Sequence, residues 1–164
     1  MREIRVTATP VEKIAARVLT GITAGMPVLT LDGELPVQYL CAGDRIITRA
    51  GARILREVAA MVLRDAQMIR IRANAFGGAP DTAARPEHDM FLTPVQPIVI
   101  RGRTALDLLG VDRAIVPAGL LANGDSITQV TVAEVRLFTL RFDREEVIYA
   151  GSLELGCPSL GCAD

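Results

Sequence analysis

The sequence lacks several features that would identify its class at once. Its 164 residues contain no tryptophan, 4% aromatic residues, one lysine and one histidine, His88. Any imidazole chemistry is therefore limited to a single position, where we expect an exposed loop histidine. No apolar run approaches the roughly 20 residues that a membrane-spanning helix needs. The N-terminus also lacks the apolar core of a secretory signal. We expect no membrane partner and a cytoplasmic location by default, with signal-less export left open.

An excess of either charge is also missing. The net charge is −1, 23% of the residues are charged and 50% are hydrophobic. This composition excludes a disordered tail. It argues against a nucleic-acid partner, because such proteins usually carry a basic surplus. The length fits one domain of ordinary size, whose core must be built from Val, Ile, Leu, Ala and Met.

The three cysteines do not form an obvious framework. Their odd number is unlike the paired cysteines of small secreted domains. Cys41 is interpreted as a small buried hydrophobic residue. Cys157 and Cys162 could form a disulfide or contribute to a metal site, but a structural zinc needs about four ligands. We therefore expect neither a metal nor a cofactor.

A short helix is predicted near the N-terminus, within residues 1–20. The segment Thr-Pro-Val-Glu at 9–12 has the pattern of a capping box with proline at the first helical position. The apolar residues that follow share one helical face, and they are Val11, Ile14, Ala15, Val18 and Leu19. Gly21 is suited to end this helix in a left-handed conformation.

The pattern then changes to short strands separated by turns. Asp32-Gly33 and Asn123-Gly124 are strong turn signals. A second short helix is predicted at 105–109, capped by Thr104 and ended by Gly110. Strands are predicted at 28–30, 35–40, 45–48, 58–63, 68–72, 90–92, 98–100, 136–142 and 147–149, although 53–64 could also be helical. From Cys157 the chain is interpreted as a loose tail. Many short strands of this kind indicate a mainly β domain.

Several segments, taken in order, resemble a known family. They are GMPVLT at 25–30, GELPVQYL at 33–40, GDRIITR at 43–49, IRIRA at 69–73, DMFLTP at 89–94, VPA at 116–118 and LANG at 121–124. Their order and spacing are similar to those of the Hint domain, shared by hedgehog autoprocessing domains and inteins, and in particular to its bacterial group. The resemblance implies a β horseshoe with pseudo-twofold halves. We expect a helical segment at 1–20, a Hint-like domain at 21–153 and a C-terminal tail at 154–164.

The family's chemistry is self-processing. In its members a Cys or Ser at the start of the domain attacks the preceding carbonyl, and a His in a Thr-x-x-His element protonates the leaving amine. The resemblance places Gly21 at the nucleophile, since Gly25 matches the glycine of the opening pattern and Met26 stands at its threonine. Glycine has no side chain with which to attack.

The histidine positions differ as well. In the segment Thr-Pro-Val-Gln at 93–96, Gln96 stands at the histidine, and an amide can hold a hydrogen bond but cannot shuttle a proton near neutral pH. Glu145 stands where relatives carry a further histidine, and we expect it on a solvated charged face. Asp89 matches an acidic position and is expected in a local turn or salt bridge.

Three hypotheses follow from these substitutions. The first is a catalytically silent Hint-like domain that serves as a structural or partner-binding module. The second is an active autoprocessing domain with unusual residues, the candidate nucleophiles being Thr20, Thr23 and Cys41. The third is a small metal or redox module that uses the terminal cysteines. The loss of Gly21, Gln96 and Glu145 together favours the first, with a protein as the partner and the oligomeric state open.

Overall fold

A computed structural model describes residues 19–73, 75–76 and 88–161. The described residues form twelve strands, one α-helix and two short 3₁₀ turns. The strands are β1 (Ile22–Thr23), β2 (Pro27–Thr30), β3 (Gly33–Pro36), β4 (Arg45–Thr48), β5 (Gly51–Ile54), β6 (Glu57–Ile71), β7 (Met90–Leu92), β8 (Pro97–Arg101), β9 (Arg113–Pro117), β10 (Ile127–Arg141), β11 (Glu146–Ala150) and β12 (Leu153–Cys157). The helix α1 spans Gly102–Leu109. The expected mainly β class is confirmed, and the helix predicted before residue 19 lies outside the described residues.

The described strands form two antiparallel sheets. The smaller sheet has the order β1-β10-β6-β7. The larger sheet has the order β3-β2-β4-β11-β12-β8-β9, with β5 paired to β4. The main hydrophobic core draws on both sheets, with Ile69 and Phe138 from the smaller and Ile148 and Leu155 from the larger. This arrangement sets β1, the first described strand, beside β10, which comes much later in the sequence.

The two longest strands, β6 and β10, pair with each other from Glu57 opposite Arg141 to Ile71 opposite Ile127, with a break at Asp65 and Ala133. The sequence predicted separate strands at 58–63 and 68–72, and it left a helix open for 53–64. The helical alternative is wrong, because pairing with β10 holds this apolar stretch extended. Asp65 interrupts the extended conformation with a φ of 46°.

Two hairpins use the same turn chemistry. In the first, the Thr30 hydroxyl donates to the Gly33 carbonyl at 2.7 Å and accepts from the Asp32 N–H at 3.0 Å. Thr48 repeats both bonds at the turn into β5, with distances of 2.7 and 3.0 Å. The Asp-Gly signal predicted only the first hairpin. The Thr-x-x-Gly spacing, common to both, is the signal for the second.

Local predictions elsewhere are partly correct. The expected strand at 35–40 stops at Pro36 and continues as a 3₁₀ turn, Val37–Tyr39. Helix α1 begins at Gly102 without a side-chain cap, so the predicted capping by Thr104 is wrong, while Gly110 ends the helix in the left-handed conformation as expected. With eight residues α1 is short, and within the described ranges no helix is long and apolar enough to cross a membrane.

The larger sheet includes more of the C-terminal part of the chain than the sequence predicted. Residues 154–164 were expected to form a tail, yet β12 lies between β11 and β8 and its residues are largely buried. Beyond it, the N–H of Leu160 donates to the carbonyl of Phe142 at 2.8 Å. The short alternating segment LELGC was overlooked because glycine and proline surround it.

Candidate functional site

The structure brings together Gly21 and Gln96. Gly21 precedes β1 and Gln96 precedes β8, so each is positioned by a strand that is fixed in a different sheet. The backbone N–H of Gly21 donates to Oε1 of Gln96 at 2.8 Å. The two positions that the family resemblance assigned to nucleophile and histidine are therefore in direct contact.

The side chain of Gln96 is fully buried and uses its whole amide. Oε1 accepts from Gly21, and Nε2 donates to the carbonyl of Pro97 at 3.0 Å and to that of Gly156 at 2.8 Å. Because a primary amide has two N–H groups, both donors of Gln96 are engaged. The side chain links the entry to β1 with β12, which is a structural role in a buried environment.

The peptide bond between Thr20 and Gly21 is bound through both of its polar groups. Its N–H meets Gln96, and its carbonyl, that of Thr20, accepts a hydrogen bond of 2.9 Å from the Thr139 hydroxyl. This is the bond that the family resemblance identifies as the one to be attacked. Thr139 on β10 was not found from the sequence, where it is one of several threonines in alternating strands.

Glycine at position 21 is required by a close approach. A Cβ added there would lie 2.7 Å from Cγ of Leu137 and 3.0 Å from the carbonyl oxygen of Phe138. The φ of Gly21 is not in the left-handed region. The interpretation of Gly21 as a left-handed helix cap is therefore wrong, and the packing of Leu137 explains the glycine instead.

Thr93 lies beside this arrangement in sequence and is completely buried. Its backbone carbonyl accepts from the N–H of Gln96 at 3.1 Å. Its hydroxyl Oγ1, however, has no hydrogen-bond partner among the described residues. A buried hydroxyl without a partner is unusual, since most buried polar atoms are satisfied.

The two candidate threonine nucleophiles have different surroundings. Thr23 is largely buried on β1, and its hydroxyl donates to the carbonyl of Phe91 at 3.3 Å. For Thr20 the contact described is that of its carbonyl with Thr139. The Phe91 carbonyl that binds the Thr23 hydroxyl is not basic enough to remove its proton near neutral pH.

Glu145 lies in a different part of the molecule. It is exposed in the turn between β10 and β11, as expected for a charged surface. It lines a hollow together with Ala50, Arg53, Asp143, Arg144 and Glu146. Gly21 and Gln96 are not among these lining residues, so the structure joins two of the three substituted positions and leaves Glu145 apart.

The structure corrects the expected burial of one cysteine. Cys41 is exposed in the turn before β4, where its N–H donates to Oδ2 of Asp44 at 2.8 Å, so its interpretation as a buried residue is wrong. Cys157 is a buried free thiol at the end of β12. Burial, with a smaller contribution from Glu146, raises the pKa of Cys157 to about 12. Cys162 lies outside the described residues.

His88 and Asp89 border an open cavity of about 360 Å³, whose wall also includes Thr23, Glu34 and Ser152. His88 is exposed, as expected. Asp89 accepts from the Ala73 N–H at 2.9 Å and pairs with the Arg70 guanidinium, and these contacts lower the pKa of its carboxyl. The expected turn and salt-bridge role of Asp89 is thus present.

The described part of the chain offers no evident metal site. Within it, no group of three or more His, Cys, Asp or Glu side chains is placed to hold a metal ion. The charged side chains near the strand ends pair with each other instead. Arg101 holds Glu154 through two hydrogen bonds of 2.7 Å, and this contact raises the pKa of Arg101.

Comparisons with known proteins identify the family and the fold. The Hint domain family model matches residues 20–156. A bacterial intein-like domain from Clostridium thermocellum superposes with a TM-score of 0.58 at 14% identity, covering 86% of this chain and 99% of that one. The MchDnaB-1 intein gives 0.52 at 12% identity, covering 82% and 98%. No curated protein sequence matches.

The structural likenesses concern the fold, because their sequence identities are low. The family model adds a sequence match over most of the chain, and it begins one residue before Gly21 and ends at Gly156, the partner of Gln96. The chain belongs to the Hint domain family.

Proposed function

We propose that this protein is a catalytically silent Hint-like domain that serves as a structural or protein-binding module. The observation that carries the proposal is the closed packing at Gly21. Cγ of Leu137 and the carbonyl of Phe138 occupy the space that a side chain at position 21 would need. A nucleophile cannot be placed there without moving a buried leucine.

The chemistry and the hydrogen bonds of the Gln96 side chain support the same proposal. General acid catalysis needs a group that gives up and regains a proton near the working pH, and an amide does neither. All three hydrogen bonds of the Gln96 side chain are made to backbone groups. Gln96 thus stabilises the fold at the place where an acid would act.

The alternative is self-cleavage through unusual residues. Thr23 is the candidate two residues after Gly21, but its hydroxyl donates to the Phe91 carbonyl. Cys41 makes its described contacts within its own turn, with Tyr39 and Asp44. Neither candidate has a described contact with the Thr20–Gly21 peptide, which favours the silent domain.

The test is the intact mass of the freshly purified full chain. Aliquots are incubated in buffer, in excess thiol and in hydroxylamine, since thiol and hydroxylamine cleave thioester and ester intermediates. We expect one unchanged mass in all three. A discrete cut would overturn the proposal. Thr20→Ala, Thr23→Ala and Cys41→Ala would then identify the nucleophile by loss of that cut.

A further inference from the structure

Half of the exposed large apolar side chains in the described chain lie in one short stretch. Twelve such side chains are exposed, and six of them fall within residues 106–120. Each of the six is 41–52% exposed, and they are Leu106, Leu108, Leu109, Val111, Ile115 and Leu120. We call these six residues the α1–β9 patch. Single exposed apolar residues are ordinary, whereas a concentration of them is typical of an interaction surface.

Strand β9 forms one end of the larger sheet. It pairs with β8 on one side, and none of the described strands pairs with its other side. At the end of the β8–β9 ladder, the N–H of Gly102 donates to the carbonyl of Asp112 at 3.0 Å. Bonded and non-bonded pairs alternate in an antiparallel ladder. The backbone groups of Arg113, Ile115 and Pro117 are therefore directed away from β8.

The open edge of β9 is apolar at its centre. Charges and prolines commonly protect natural edge strands from pairing, and Arg113 and Pro117 stand at the two ends of β9. Between them, Ile115 is 52% exposed. The outward N–H groups of Arg113 and Ile115 have no described strand to bond. The centre of the edge is therefore suited to accept another strand.

Apolar side chains flank this edge on both faces of the sheet. Helix α1 contacts β8 and β9, and its Ala105 is buried in the main core together with Val116. Because side chains alternate along a strand, Ile115 lies on the face opposite to that of Val116. A strand added to the edge of β9 would thus have α1 on one face and Ile115 on the other.

We propose that β9 pairs antiparallel with β9 of a second copy of this chain, about a twofold axis at Ile115. The larger sheets of the two copies then continue into each other. In this register Ile115 lies opposite Ile115 of the second copy, and Arg113 lies opposite Pro117. The outward N–H groups of Arg113 and Ile115 each bond a carbonyl across the axis. Pro117 has no N–H, so no donor on the edge is left unpaired.

The charge of Arg113 favours this register. Like charges directly opposite each other destabilise a strand pair. A twofold axis at Ile115 separates the two copies of Arg113 by four residues along the strand, about 14 Å. This separation exceeds the screening length of about 8 Å at physiological salt. The apolar stem of Arg113 is then free to cover Pro117 of the second copy.

The area of the α1–β9 patch matches what a dimer needs. Six large side chains at about half exposure leave on the order of 500 Å² of apolar surface, which is near the upper end for a monomer. An interface of standard size buries about 800 Å² on each partner, and about 60% of that area is apolar. The patch therefore supplies the apolar share of such an interface, with a second copy as the occupant.

The dimer gives the protein-binding part of the proposed function a partner, and it rests on the proposed function in that respect alone. Self-cleavage depends on Gly21 and Gln96, which are not members of the α1–β9 patch. The intact-mass measurement reports on cleavage and is independent of association. Either proposal can therefore fail while the other stands.

Sedimentation velocity of the full chain, from micromolar to millimolar concentration, tests the dimer. We expect the unmodified chain to pass from monomer to dimer as its concentration rises. Ile115→Arg places two like charges opposite each other at the axis, and it should raise the dissociation constant of the dimer at least about tenfold. Met61→Arg is the matched control, because Met61 is a 46% exposed residue of β6 in the smaller sheet. This control should dimerise like the unmodified chain.

A mixture of oppositely charged variants tests the position of the axis. Ile115→Glu alone should dimerise as poorly as Ile115→Arg, whereas an equimolar mixture of the two should recover dimers, because opposite charges then meet. Leu106→Glu on α1 should also weaken the dimer, and it replaces the Ile115 variants if either fails to fold. The proposal is overturned if the unmodified chain stays monomeric at every concentration, or if Ile115→Arg associates as tightly as Met61→Arg. Failure of the mixture to recover dimers would equally overturn it.

Discussion

The backbone N–H of Gly21 donates a hydrogen bond of 2.8 Å to the side-chain oxygen of Gln96, across 75 residues of sequence. The family resemblance assigned these residues to the nucleophile and histidine positions from separate motifs. Their contact shows that both assignments refer to one place in the fold. At that place the chain has a closed, hydrogen-bonded backbone.

The close approach of Leu137 to Gly21 predicts a cost for any side chain at position 21. Gly21→Ala should lower the free energy of unfolding by about 1–3 kcal/mol, because an added methyl group overpacks a filled site. Chemical denaturation measures the change. Gly161→Ala is the control, since a Cβ there would meet nothing closer than 3.8 Å.

A double-mutant cycle tests the physical cause of this cost. In a Leu137→Ala background the added methyl group has room, so Gly21→Ala should cost less there by about 1 kcal/mol or more. Equal costs in the two backgrounds would show that Leu137 is not what excludes a side chain. The explanation of the glycine would then be wrong.

The hydrogen bonds of Gln96 predict a pH-dependent loss of stability in Gln96→Glu. The new carboxylate oxygen would face the carbonyls of Pro97 and Gly156, which accepted from Nε2. An ionised carboxylate has no donor, and burial raises the pKa of a carboxyl. At neutral pH we expect a loss of about 3 kcal/mol in the free energy of unfolding.

This loss should shrink as the pH falls. A carboxyl whose pKa is raised in the folded state binds its proton more tightly there than in the unfolded chain, so stability decreases as pH rises between the two pKa values. Denaturation midpoints measured across the acid range would show this. Gln129→Glu, on an exposed part of β10, should show no comparable slope. A loss in Gln96→Glu that is independent of pH would contradict the role of the two donors.

The sequence predicted the fold class because its signals were local. Asp32-Gly33 indicated the first hairpin and Gly110 the end of α1, and each depends on a residue's own conformational preference. The segments that resemble the Hint domain, taken in order, predicted the Hint-like fold. They also assigned Gly21 and Gln96 to the nucleophile and histidine positions, and the structure brings these two residues into contact.

What the sequence could not predict depends on contacts between distant residues. Leu137 explains Gly21 from a strand more than 100 residues away, and Thr139 binds the Thr20 carbonyl across 119 positions. No local pattern distinguishes these two residues in β10 from their neighbours. The strand β12 was missed for a similar reason, since its place between β11 and β8 is set by the sheet.

The cysteines should differ sharply in reactivity. Alkylation requires the thiolate, and Cys157 is buried with its pKa raised to about 12. In the native chain at mildly alkaline pH we expect iodoacetamide to modify the exposed Cys41 and to leave Cys157 unmodified until denaturant is added. Peptide mapping by mass spectrometry separates the sites. Rapid native labelling of Cys157 would mean that β12 opens readily at its end.

The orphan hydroxyl of Thr93 predicts a substitution that does not destabilise. Thr93→Val replaces Oγ1 by a methyl group of similar size, and it removes a buried polar atom that has no described partner. The free energy of unfolding should stay the same or rise by about 1 kcal/mol. Thr30→Val is the matched control, because Thr30 is also buried but its hydroxyl makes two hydrogen bonds. That control should lower the stability by about 1 kcal/mol. If Thr93→Val is as destabilising as Thr30→Val, the Thr93 hydroxyl has a partner in solution and is not an orphan.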